Sequence, residues 1–124
     1  MNWWMLTGAA MAMFCAVGHA IVGGDRFYRP IRSALPDEVL AGLFAGMWHL
    51  ITVHFVLSAI LLGALSIGRF SNEAAAWFIA AQFAGYAAVY FAISLRLGGA
   101  LKLFQWIPFG ATAILGALGA INTP

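Results

Sequence analysis

The chain has 124 residues, of which 64% are hydrophobic and only 8% charged. Its mean hydropathy is +0.93. A soluble domain carries about 25% charged residues, so a soluble globular fold is excluded. A net charge of +2 resting on six Lys and Arg is also too sparse for a nucleic-acid surface.

The Asp, Glu, Lys and Arg residues fall in three short windows, 25–38, 69–73 and 96–102. Between them lie the charge-free runs 1–24, 39–68, 74–95 and 103–124. Each exceeds the roughly 20 apolar residues that cross a bilayer core. Backbone groups in lipid must be bonded internally. Runs this long without alternation fit helices, since barrel strands are shorter and alternate. The pattern predicts an all-α, four-helix transmembrane bundle of up-down topology. Its single domain has spans at about 3–22, 39–67, 74–95 and 103–121.

The first span opens on Trp3 and Trp4, a pair suited to the interfacial aromatic belt. With no basic residue before it, it reads as a span that is kept. Gly23-Gly24-Asp25 is expected to end it, because glycine stops helices. In Asp25-Arg26-Phe27-Tyr28-Arg29-Pro30-Ile31-Arg32, bases alternate with aromatics. Such arginines can reach lipid phosphates while the rings settle at the acyl boundary. Pro36-Asp37-Glu38 should start the second span, with the acids at the positive end of its dipole. Gly68 to Glu73 should form a tight turn, with Ser71 or Asn72 capping the third span. Gly98-Gly99 should close that span, and Pro108 should fall in the first turns of the fourth, where its missing donor costs little.

Five of the six bases, Arg26, Arg29, Arg32, Arg96 and Lys102, lie in the first and third connections, and Arg69 alone in the second. This bias places those two connections in the cytoplasm and both termini outside it. A bacterial inner membrane is the expected location. Cys15, the sole cysteine, has no partner for a disulfide within the chain.

Small residues write the packing code. Gly8, Ala12 and Cys15 share a stripe of the first span, and Thr112, Gly116 and Gly119 one of the fourth. Gly42 and Gly46 form a G-x-x-x-G on the second. Such stripes let helices approach closely and are expected to pack within the bundle; the sharper reading makes one of them a dimer or partner face.

At about 1.5 Å per residue, His19 and His49 fall about 9 Å and about 6 Å to the cytoplasmic side of their span centres. His54 lies near the middle, with Ser58 one turn on to meet its ring. Tyr86, Tyr90, Gln105 and Trp106 fall in the same half. Ionisable residues within spans are costly and usually face the bundle interior.

Three readings fit this layer. His19, His49, Tyr90 and Gln105 can hydrogen-bond across helices and fix the packing. His19 and His49 can be axial ligands of a b-type haem, or ligands of a copper or zinc ion, with Cys15, Asp25 or Tyr90 to complete the set. His19, His49, Tyr90, Gln105 and Trp106 can line a pocket for a quinone or lipid headgroup. No span carries a carboxylate for a proton relay, and His49 and His54, five apart, do not make the H-E-x-x-H protease signature. The chain therefore reads as a non-enzymatic subunit or assembly partner in the lipid bilayer, paired with another membrane protein or with its own copies. A haem- or metal-binding redox protein is the alternative, and a quinone-binding, lipid-binding or small transport protein the next.

Gly18-His19, Gly23-Gly24, Pro30, Leu35-Pro36 and Trp48-His49-Leu50-Ile51-Thr52 together resemble a group of small bacterial membrane proteins. In that group a G-H element ends the first of four helices and a W-H-x-x-T element sits in the second. The resemblance covers about the first half of the chain. It implies that His19 and His49 act together, and it carries no assigned activity.

Overall fold

The computed structural model describes residues 1–69 and 72–122. It is an all-helical bundle. Helix α1 runs without a break over Trp3–Ala34, followed by α2 (Glu38–Ser66), α3 (Glu73–Arg96) and α4 (Trp106–Ile121). Asp37 and Asn72 cap α2 and α3 by accepting from the N–H groups of Leu40 and Ala75, as N-caps do. Ser71, the other expected cap, lies outside the described residues.

Asn2 gathers one end of the bundle. Its side chain caps α1, its backbone N–H donates to Ser66 (2.7 Å), and its Nδ2 donates to Gly119 (2.8 Å). The start of α1, the end of α2 and the end of α4 therefore share a level. Helix α1 packs between α2 and α4, and α4 packs in turn on α3. Gly8 meets Leu115 and Gly116, Gly116 meets Ala76 and Ala80, and Gly110 meets Ala87. These contacts fix the up-down order.

The predicted small-residue stripes of α1 and α4 are buried: Gly8, Ala12 and Cys15 on one, Thr112, Gly116 and Gly119 on the other. Phe55, Phe83 and Phe109 fill the centre, with ring centroids 5.4–6.0 Å apart. Helices α2 and α3 both end in glycine turns, with Gly68 at φ +72° and Gly98 at φ +92°. That left-handed conformation suits glycine at a helix C-terminus.

Three expectations are corrected. Gly23 and Gly24 do not end the first helix. The chain instead widens into π-type turns over His19–Tyr28, where Arg29 N–H reaches back to Gly24 O, and resumes α geometry over Arg29–Ala34. Both glycines are buried, and the packing of Gly23 on Trp48 overrides the weak helix propensity of the pair. Second, Gly42 and Gly46 pack on nothing, since a Cβ at either would meet no atom within 4 Å. Third, α4 begins at Trp106, with residues 103–105 in the preceding turn. At 16 residues α4 is about 24 Å long, short of a full crossing. The three longer helices are long and apolar enough to cross a membrane.

Candidate functional site

His19 opens the widened stretch of α1 and is half-buried. Its ring lies 4.0 Å from the indole of Trp48, at 18°, and edge-on to Phe55 at 5.8 Å. Its Nε2 sits 3.2 Å from the Trp48 carbonyl oxygen. A carbonyl only accepts, so Nε2 carries the proton. One turn on, Gly23 lets the indole lie flat: a Cβ there would come within 3.1 Å of Trp48 Cζ2.

His49 is exposed on α2 and packs on Tyr28, ring to ring at 5.5 Å. Tyr28 also stacks on Phe44 (5.8 Å, 16°) and reaches Trp48 (5.5 Å). The two histidines thus flank one aromatic cluster, of which Trp48 and Tyr28 are the shared members. His54 lies deeper, against Phe83 and Tyr86, with Ser58 Oγ 3.5 Å from its Nε2 as the one-turn spacing suggested.

Tyr90, Gln105 and Trp106 belong to the other helix pair. Tyr90 meets Phe109 at 5.5 Å. Trp106 packs on Phe91 and donates its indole N–H to the Ala100 carbonyl at 2.7 Å. Gln105 Oε1 is buried and accepts no hydrogen bond among the described residues. The anticipated hydrogen bonds between His19, His49, Tyr90 and Gln105 do not form among the described residues. His19 and Trp106 bond to backbone carbonyls instead, as most buried polar side chains do.

The sequence reading passed over Ser94, which is fully buried. Its hydroxyl faces the carbonyls of Gly99 (2.7 Å) and Ala100 (2.9 Å) and accepts from Leu103 N–H (3.0 Å). One small hydroxyl so organises the whole α3–α4 connection. The available signal was a serine one turn before the glycine pair that ends α3.

As a metal centre the layer is thin. The described residues hold no group of three or more His, Cys, Asp and Glu able to share an ion. A structural or catalytic zinc site takes at least three protein ligands. Of the side chains expected to complete one, Asp25 is paired with Arg29 at 2.8 Å and Cys15 is buried in the packing stripe of α1. His19 Nε2 is committed to the Trp48 carbonyl, which leaves Nδ1 as the only nitrogen of that ring free to act as a ligand.

No protein-family model, curated protein or solved structure matches this chain. Fold and surface nonetheless define a class. Large apolar side chains such as Leu50, Phe78 and Ile114 stand more than 60% exposed on α2, α3 and α4, the reverse of a soluble surface. The chain is a small helical-bundle membrane protein.

Proposed function

We propose that the chain acts in a bacterial inner membrane as a non-enzymatic subunit or assembly partner, with both termini outside the cytoplasm. One observation carries the reading: Gly42 and Gly46 of α2 form a close-approach surface that the bundle itself leaves uncovered. Small residues at this spacing let a second transmembrane helix come near and gain packing contacts that lipid does not supply. The inward polar groups have structural employment, His19 on Trp48, Ser94 on the α3–α4 connection and Trp106 on Ala100. The interior is thereby a scaffold, and the outer face of α2 is the working surface. His49, three residues beyond Gly46 on that helix, offers an exposed imidazole for partner specificity.

A photo-crosslinking residue placed at Gly42 in living cells tests this, with Phe78 on α3 as the control position. A discrete protein adduct at Gly42, with a copy of the chain or another membrane protein, supports the reading if Gly46→Ile abolishes it. Lipid adducts alone at both positions overturn it.

A further inference from the structure

The uninterrupted first helix sets arginines at a defined depth. From Trp3 and Trp4 at one interface, a core of about 30 Å takes about 20 residues of helix, which reaches Gly23 and Gly24. Residues 25–32 follow in the headgroup layer, still helical and still packed on α2 through Tyr28, Phe44 and Trp48. Helix α3 ends at Arg96 at the same end of the bundle.

Arg26, Arg29 and Arg32 recur every third residue along the extension and are all exposed; Arg29 and Arg32 are neighbours on its α-helical end, and Arg26 lies in the π-type turn just before them. Asp25 holds Arg29, and Arg26 and Arg32 have no ion-pair partner among the described residues. The acids that begin α2 offset part of this charge but pair with none of the arginines among the described residues: Asp37 caps Leu40 N–H, and Glu38 sits in the first turn of α2. Arg96 and Lys102, at the same end, likewise have no ion-pair partner among the described residues. Phe27 and Ile31, interleaved with the arginines, are exposed apolar side chains at the height where acyl chains begin.

We propose that Arg26, Arg29 and Arg32 form a headgroup site for an anionic phospholipid, with Phe27 and Ile31 against the upper part of its acyl chains. Guanidinium groups bind phosphate oxygens bidentately, and basic residues next to a span favour anionic over zwitterionic lipid. The widened turns at His19–Tyr28 matter here because they keep the helix continuous past Gly24. A helix ending at Gly23 would leave the three arginines on a loop with no fixed spacing.

The test uses the full chain in a neutral detergent, titrated with dioleoylphosphatidylglycerol or dioleoylphosphatidylcholine. Thermal unfolding and native mass spectrometry are the readouts. Phosphatidylglycerol should raise the melting temperature more than phosphatidylcholine and should be retained at one or more copies, with retention falling as salt screens the contact. Arg26→Gln/Arg32→Gln should bind phosphatidylglycerol at least threefold more weakly, Arg26→Lys/Arg32→Lys should recover part of the loss, and Arg69→Gln at the opposite end should leave binding unchanged. Equal effects of the two lipids on the unmodified chain overturn the proposal, whatever the variants do. So does full protection by inorganic phosphate alone, or an undiminished preference in a folded glutamine variant.

Discussion

His19 and Trp48 hold each other twice: the rings stack at 4.0 Å and the imidazole Nε2 donates to the carbonyl of the same tryptophan at 3.2 Å. The stack joins α1 to α2 where α1 changes from α to π geometry. A hydrogen bond between helices in a membrane contributes about 0.6–2 kcal/mol, and an aromatic pair about 0.5–1.5 kcal/mol more. His19→Phe keeps the ring and loses the bond, so it should cost about 1 kcal/mol. His19→Ala loses both and should cost about 1–3 kcal/mol. Thermal unfolding in detergent separates the two. Equal stability of His19→Ala and the parent would show that the contact contributes nothing.

Gly23 and Gly24 are adjacent and should respond in opposite directions. A Cβ at Gly23 enters the Trp48 indole, whereas one at Gly24 meets nothing within 4 Å. Gly24→Ala should stabilise the helix by about 0.5–1 kcal/mol. Gly23→Val should lower the melting temperature and alter the near-ultraviolet circular dichroism, to which Trp48 contributes. Matching responses at both positions would contradict the described packing.

A second pair of glycine positions sorts the packed face from the open one. At Gly119 a Cβ would collide with the Met5 side chain and lie 3.1 Å from its backbone nitrogen. Gly119→Ala should therefore cost about 1–3 kcal/mol, the usual penalty of overpacking. Met5→Ala in the same chain should recover part of that loss, a coupling that a double-mutant cycle measures directly. Gly42→Ala and Gly46→Ala should leave the isolated bundle as stable as before or slightly more so.

Ser94→Ala removes one hydroxyl and strands a donor. Leu103 N–H loses its acceptor, while the carbonyls of Gly99 and Ala100 lose the hydroxyl donor and keep the Lys102 N–H and the Trp106 indole N–H. A buried unsatisfied group costs about 1–3 kcal/mol. Faster hydrogen exchange at Leu103, with residues of α2 unaffected, is the specific signature. Unchanged exchange at Leu103 would mean that another group holds the connection.

Charge carried most of the fold's legibility. Charges at 37–38, 73 and 96 stand at the start of α2 and at both ends of α3, and Arg69 lies just beyond the end of α2, because a charged side chain is costly in lipid and cheap at its edge. Small-residue spacing then identified the inner faces of α1 and α4. It failed for Gly42 and Gly46, since a G-x-x-x-G is the same string whether it faces a helix within the chain or the space outside it. Gly23 and Gly24 misled for a related reason. Propensity treats glycine as a helix stop, but Trp48 is 25 residues further on in the chain and needs the room that Gly23 leaves.

The partners of the polar layer were not legible in the sequence. His19 and His49 do flank one cluster, yet the hydrogen bonds go to main-chain carbonyls, whose positions depend on helix rotation and turn geometry. Ser94 escaped notice because a lone serine near a helix end carries no pattern until the turn folds over it.

The most direct measurement concerns the side of the membrane on which the chain begins and ends. The Asn2 side chain bonds to Gly119 across 2.8 Å, so the two ends of the bundle's sequence share a level although α4 is only 16 residues long. Paired reporters, one active only in the cytoplasm and one only outside it, fused in turn to each terminus, read this out in whole cells. The expected result is an outside signal from both termini, with cytoplasmic signal only from insertions between α1 and α2 or between α3 and α4. Termini on opposite sides would contradict the four-helix up-down arrangement in the membrane, and two cytoplasmic termini would invert the orientation proposed from the loop arginines.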